Sequence, residues 1–458
     1  MKLFRTNIGG MLGISIVLAA TSPAVMAEDH LGRGKRWVRS HPFWISALTQ
    51  TESLYEVDDY RGAGLNTLLA WDPRRNLFEK STAVNFPIHY HMHQVVADTE
   101  QGYVDHVRGL LEKYPNSCTG LLFWDEPQVP DMERVGKICA LLKKEFPEQL
   151  VYSNALPKGA RYASKYGFTE NAPKDFYAAY IKKFGQIIQP DVIMVDVYPL
   201  RSTRPDEAPR SREYFETIAL VRQVGLDQGA PYWIFIQAYD HDGAIRRPSE
   251  SDLRFQLFAP LTLGFTGISY FTYGPAIGPG LIDGKKNRTP LYYHAARANM
   301  EVSNVGQAIR FLDSTGVAFV MGTHEQDGQV IGNPVPPMPT GGPWVWPTAN
   351  SRPAELLDVE ILNTGKGRDA LLGFFKQDNG DTYFMVTNLW HGMGRSAADC
   401  KLNVRLTFAP GVRTVTRLSR ETGVPEELVV QGGQLDLSLL GGTGELLKVG
   451  DAKFPGLD

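Results

Sequence analysis

Short apolar runs alternate with longer amphipathic stretches between Phe43 and Tyr273. The runs cover 43–48, 65–71, 86–91, 120–124, 150–155, 192–198, 232–238 and 266–273. β-Branched and aromatic residues fill them, and Gly, Pro or Asn bound them, which predicts eight strands. The stretches between them read as helices. In 131–144, Met132, Val135, Ile138, Leu141 and Leu142 share one helical face, and 175–188 and 211–224 read the same way. Strand–helix units repeated in one segment predict an α/β fold of the (β/α)8 TIM-barrel type, closed by a helix over 291–312. A doubly wound open sheet would need a glycine-rich phosphate loop after an early strand, and the sequence has none.

Beyond residue 312 the period changes. A strand at 316–321 precedes a Pro/Gly-rich loop over 333–347, and short alternating strands follow. Leu402, Val404, Leu406 and Phe408 share a face by period two, as do Leu435, Leu437 and Leu439. Asp378-Asn379-Gly380 predicts a hairpin turn between 371–375 and 383–386. The expected organisation is a barrel over 28–312 followed by a C-terminal all-β sandwich domain over 313–458.

Composition fits this picture and narrows the function classes. The chain of 458 residues is too long for one ordinary domain, and 43% hydrophobic with 21% charged residues describes a globular protein. A formal charge of −3 gives no footprint for nucleic acid or an anionic membrane. Lys2 and Arg5, the short apolar stretch 10–20 and Val25-Met26-Ala27 read as a signal peptide over 1–27, cleaved after Ala27. The mature protein is therefore expected to be periplasmic or secreted. The three cysteines, Cys118, Cys139 and Cys400, rule out a full disulfide framework, although Cys118 and Cys139 flank one turn closely enough to leave a bridge open.

The catalytic face of a barrel lies at the C-terminal strand ends. Those ends are polar or aromatic here: Trp71, His89-Tyr90-His91, Trp124-Asp125-Glu126, Ser153-Asn154, Asp196-Val197-Tyr198, Gln237-Ala238-Tyr239 and Tyr270–Tyr273. Two adjacent acids ending an apolar strand, stopped by Pro127, are the sharpest of these, because desolvating charge is costly unless a site uses it. Glycosidic hydrolysis needs a carboxylic acid to protonate the leaving oxygen and a second group to attack, activate water or stabilise positive charge. Glu126 is the expected acid/base, with Trp124 two residues before it as an apolar neighbour that raises its pKa. Asp196 is the first choice for the second carboxylate, at an expected separation of roughly 6.5–9.5 Å. Asp125 is next, either as a buried acid paired to a neighbour or as the group that orients a substrate's own 2-acetamido nucleophile. Both Asp125 and Glu126 reach one substrate only if the strand has bent. Trp71, His89, His91, Trp124, Tyr198, Gln237, Tyr239 and Tyr273 are candidates for holding sugar, with core packing as the competing role. His89, His91 and His93 alternate on one strand face, but later strand ends lack histidine, so neither a metal nor another cofactor is expected. No Gly-x-Ser-x-Gly elbow supports a serine triad.

These features together resemble the barrel glycoside hydrolases of the β-galactosidase-like retaining clan. The residues that carry the resemblance are Leu122-Phe123-Trp124-Asp125-Glu126-Pro127, Asp196-Val197-Tyr198-Pro199, Phe235-Ile236-Gln237-Ala238-Tyr239 and the C-terminal Leu439-Leu440-Gly441-Gly442-Thr443-Gly444-Glu445. The resemblance implies that Glu126 is the acid/base. The clan places a glutamate nucleophile on the seventh strand, where this chain has Gln237. The adjacent acids also resemble those of glycoside hydrolase family 123, which implies substrate assistance on N-acetylhexosaminides. The expected function is a glycoside hydrolase with a carbohydrate substrate. A non-catalytic glycan-binding protein on a degenerate barrel is the alternative from another class, and a metal-dependent hydrolase is third.

Overall fold

The computed structural model describes residues 31–457 apart from 72–74, 160–161, 170, 202–211, 242–244, 341, 343, 348–350 and 451–452. The expected signal peptide lies outside the described residues. Among the described residues, no helix is long and apolar enough to cross a membrane.

The eight runs form a closed parallel barrel: β1 (Trp44–Thr49), β2 (Thr67–Trp71), β3 (Ile88–His91), β4 (Cys118–Asp125), β5 (Leu150–Ala155), β6 (Ile193–Asp196), β7 (Tyr232–Gln237) and β8 (Gly267–Phe271). Pairing of Trp44 with Gly267 and Ala47 with Tyr270 brings β1 against β8 and closes the ring. The strands read as nearly continuous apolar runs because both faces are covered. Outward residues such as Leu68, Leu121, Val151 and Ile234 join the main core under the helices. Inward residues form a separate core of Trp44, Leu69, Leu122, Tyr152, Met194 and Trp233.

Around the barrel lie α1 (Arg33–Ser40), α2 (Val57–Gly62), α3 (Arg75–Thr82), α4 (Glu100–Lys113), α5 (Met132–Glu145), α6 (Phe176–Lys183), α7 (Arg212–Gln228), α8 (Glu250–Thr262) and α9 (Pro290–Ile309). The helix expected over 175–188 changes character part-way: its last five residues, Phe184–Ile188, wind as one π turn. Helix α1 was not anticipated. It lies across the N-terminal end of the barrel, where Trp37 meets His89 at 5.4 Å and Trp233 at 6.0 Å. Aromatics fill this end of the barrel: Trp44 and Trp233 stack at 4.1 Å, and His89 packs on Trp44 at 5.2 Å.

The C-terminal segment is a sandwich. One sheet has the order β12 (Leu356–Ile361), β15 (Leu402–Phe408), β18 (Gln434–Leu439). The other runs β17 (Pro425–Val429), β16 (Thr414–Leu418), β19 (Gly444–Val449), β14 (Thr382–Asn388), β13 (Ala370–Lys376), β9 (Asp313–Val320). A two-stranded ribbon of β10 (Thr323–Gln326) and β11 (Gln329–Gly332) stands apart from both. Leu402, Val404, Leu406 and Phe408 point inward as their period requires, and Gly380 turns the β13–β14 hairpin at φ +94°.

Helix α8 joins the two parts. All of its residues from Ser251 to Thr262 are buried, since it packs on the barrel with one side and on β13, β14 and β19 with the other. A glycine inside β13 permits this approach: a Cβ on Gly373 would come within 2.0 Å of the Thr262 carbonyl oxygen. Charge is buried at the same junction. Glu301 of α9 accepts two hydrogen bonds from Arg254 of α8, at 2.7 and 2.8 Å, and a third from Arg420 of the sandwich at 2.7 Å. Removing Glu301 leaves two guanidinium groups without that partner in a dry interface. Glu301→Ala should therefore cost about 3–5 kcal/mol in urea unfolding of the full chain. A loss below about 1 kcal/mol, the scale of an exposed pair, would show that the junction does not depend on it.

Cys118 and Cys139 are buried free thiols, so the bridge the sequence left open is not formed. Burial pushes each thiol up to about 12. Both should resist a thiol reagent in the native state and react only on unfolding.

Candidate active site

The end of β4 is broken. Its pairing with β5 shifts register between Leu122 and Trp124, and Glu126 follows in a left-handed conformation at φ +47°. A shift of one residue moves side chains to the other face. Phe123 and Trp124 accordingly both pack toward the helices, Trp124 against Tyr103 of α4 at 6.1 Å. Asp125 turns inward, and Glu126 comes off the strand end beside it. The strand alternation that would place Glu126 beside Trp124 does not continue to Glu126, which leaves the strand at positive φ. The bend that lets both acids reach one place is present. Tyr180 of α6 braces it, donating to the Pro127 carbonyl at 3.0 Å and accepting from Leu156 N–H at 3.1 Å.

Three carboxyls meet at this mouth. Asn154, at the end of β5, donates to Asp125 Oδ1 at 3.0 Å and to Asp196 Oδ1 at 3.1 Å. Glu126 and Asp196 lie close enough that each carboxyl acts on the titration of the other. A bent β4 tip and the short Asn154 side chain between the strands bring the acids to one mouth.

Environment divides the three. Burial would raise the Asp125 carboxyl, but the His91 ring and the Asn154 amide hold it below the ordinary aspartate value. His91 Nε2 stands 3.6 Å from Asp125 Oδ2, too far for a hydrogen bond. Glu126 is exposed as a residue, yet its carboxyl is flanked by protein. That desolvation and then the Asp125 charge push it above the ordinary glutamate value, with Lys165 acting in the opposite sense. Asp196 is raised further, by burial and then by Glu126 and Asp125. The mouth thus sets one carboxyl favoured as the anion beside two whose protonated form is favoured.

Aromatic walls stand on two sides. Trp71 stacks on His91 at 4.8 Å with planes 10° apart, and His93 lies 4.5 Å from Trp71. Opposite them, Tyr198 meets Tyr239 at 5.5 Å and Phe271 at 5.6 Å. Burial and then the Asp196 charge push the Tyr239 phenol up to about 12, so it remains a donor at neutral pH.

Not every candidate joins this cluster. His89 lies inside the barrel near its N-terminal end, bonded to Tyr152 at 2.9 Å and stacked among tryptophans, and so has a packing role. Tyr273 packs outward against Tyr60 at 4.9 Å, in the layer beneath the helices. Gln237 is fully buried and engaged by backbone: its Oε1 accepts from Leu200 N–H at 3.1 Å, and its Nε2 donates to Arg246 O at 2.6 Å and Tyr239 O at 3.2 Å. It has no free hydrogen bond to offer a sugar. It ties the segments after β6 and β7 together. From sequence, Asn154 and Phe271 are named only as parts of strand ends, without a role, and Lys165 is not named. For Asn154 the signal was available, a polar residue closing an apolar strand. Among the described residues, no group of three or more His, Cys, Asp or Glu side chains can hold a metal ion.

No protein-family model matches the chain, and no curated protein matches it. Among solved structures, it is similar to the GH51 α-L-arabinofuranosidase from Thermotoga petrophila RKU-1, at 10% identity, over 90% of this chain and 96% of that one, with a TM-score of 0.46. It is similar to the β-galactosidase from the Antarctic haloarchaeon Halorubrum lacusprofundi at 10% identity, over 57% of this chain and 58% of that one, with a TM-score of 0.42. The endo-β-1,4-mannanase from Thermotoga petrophila follows at 12% identity, over 78% of this chain and 97% of that one, with a TM-score of 0.39. At these levels the likeness assigns this chain no substrate and no activity.

The role of Gln237 can be checked directly. Gln237→Glu replaces two N–H donors with acceptors facing backbone carbonyls. It should destabilise the protein by about 3 kcal/mol or more and create no nucleophile. Native stability together with new or faster glycan turnover would mean that the position is catalytic.

Proposed function

We propose that this chain is a glycoside hydrolase in which Glu126 is the proton donor. The observation that carries the reading is the unequal pair at the tip of β4: Asp125 held as an anion beside a Glu126 whose carboxyl is raised. A general acid must keep its proton near working pH, while an adjacent anion stabilises the positive charge that develops at the sugar carbon. The position at the C-terminal end of a barrel strand and the facing aromatic walls support it. The signal-like 1–27 segment supports action on glycans outside the cytoplasm.

The second group favours a specific variant of this reaction. Gln237, at the seventh-strand position, is taken up by backbone groups and offers no nucleophile. This favours substrate assistance on a 2-acetamido sugar, with Asp125 orienting the acetamido group. Proton NMR of the first-formed product decides between the routes. Retained anomeric configuration on N-acetylhexosaminides supports assistance. Inversion would return the second role to Asp196.

Glu126→Gln should lower kcat on an unactivated glycan by roughly 10²–10⁴-fold while glycan binding persists, with much of the loss recovered on substrates whose leaving group needs no proton. Unchanged turnover would remove Glu126 from the chemistry. If the wild type binds a glycan from a broad panel and cleaves none, the binding-protein reading replaces this one. The pH profile follows from the two shifts. The raised Glu126 keeps its proton above the usual value of about 4.3, and activity falls as pH climbs through its folded pKa. The lowered Asp125 stays ionised below the usual value of about 3.9, and activity falls as pH drops through it. A profile with no alkaline limb would contradict the assignment of the acid.

A further inference from the structure

Asn154 stands between two carboxyls that belong to the strands on either side of it. β5 separates β4 from β6, and the single Asn154 side-chain nitrogen spends one N–H on Asp125 and the other on Asp196. The residue is 3% exposed, and its Oδ1 is buried without a partner. Its orientation is fixed by chemistry: exchanging O and N would aim an acceptor at both carboxyls.

This arrangement has a direction. An amide N–H needs a lone pair opposite it, so Asp125 Oδ1 and Asp196 Oδ1 both act as acceptors toward Asn154. A carboxylic acid accepts best at its unprotonated oxygen. A proton held by Asp196 is thereby directed to Oδ2, the oxygen turned away from Asn154. We propose that Asn154 is a positioning residue that partitions charge in this cluster, keeping Asp125 as the anion and confining a proton held by Asp196 to the carboxyl oxygen turned away from Asn154. This rests on the reading of Glu126 as proton donor.

Other titratable groups face the same cluster. His91 of β3 and His93 just after it act on Asp125, and Lys165, from the turn after β5, acts on Glu126. Tyr177 and Tyr180 of α6, with Tyr198 and Tyr239 beyond β6 and β7, surround Asp196. Among the described residues, Asn154 is the donor that bridges Asp125 and Asp196.

The test uses Asn154→Asp, which keeps the shape and replaces both donors with acceptors, and Asn154→Ala. Donation to a carboxylate favours its ionised form, so losing it raises the Asp125 pKa, and the ionised form is lost at higher pH. The acid limb of the kcat profile should move up by about one pH unit or more in both variants, with KM changed less than about threefold. Asn154→Ser, which retains one donor, should recover part of that shift. A lowered kcat with an unmoved profile would reduce Asn154 to a structural role and overturn the proposal. An arm independent of turnover is infrared titration of protonated carboxyls at about pH 7. The wild type should show a protonated carboxyl that disappears in Asp196→Asn, and Asn154→Asp should show one more than the wild type. An unchanged count in Asn154→Asp would also overturn the proposal. If the wild type cleaves no glycan, the hydrolase reading fails, while the infrared count still decides the role of Asn154.

Discussion

Carboxyl groups crowded at a half-buried barrel mouth cannot all be ionised, and the geometry of this site follows from how that conflict is settled. Asp125 has an amide N–H and the nearby His91 ring, Asp196 one amide N–H and burial, and Glu126 desolvation beside the Asp125 charge. Donors stabilise the anion where they are concentrated, and desolvation drives the remaining proton to where they are scarce. One acid and one anion side by side are the result.

That settlement is available only because β4 does not end as a regular strand. A regular alternation would send Asp125 and Glu126 to opposite faces. The register shift after Leu122 and the left-handed Glu126 place both on the mouth. A non-glycine residue at positive φ is uncommon and is kept only where its surroundings hold it. Here the Tyr180 hydroxyl clamps Pro127 to Leu156, and Glu126 N–H is bonded to the Asn154 carbonyl at 2.9 Å. Asn154 therefore supports the tip with its backbone and divides its charges with its side chain.

Away from the mouth the same economy of polar groups recurs. Gln237 satisfies backbone groups of two segments, and Glu301 satisfies two arginines that link barrel and sandwich across α8. In each case a buried polar side chain is matched by partners from distant parts of the chain, as low-dielectric surroundings demand. The sandwich thus rests on the barrel through a helix with no solvent face, which makes the two parts one hydrogen-bonded body at that junction.

Period and composition alone determined the eight strands, the change to an all-β module near residue 312, and the polar strand ends that mark the mouth. These are local properties: a buried parallel strand needs a continuous apolar run, and a sandwich strand needs alternation. The prominence of Asp125 and Glu126 was equally legible, because adjacent acids after an apolar run are costly to bury. Which candidates share the site was decided only in three dimensions. His89 and His91 sit two residues apart on one strand face, yet one packs among tryptophans and the other reaches Asp125. Gln237 ends its strand like a ligand-binding residue but is taken up by carbonyls of loops far from it in sequence. The meeting of Asp125 and Asp196 through the Asn154 bridge depends on a one-residue bulge and on the order of neighbouring strands around a closed ring. Sequence period cannot encode either, because both arise from how separate strands register against one another.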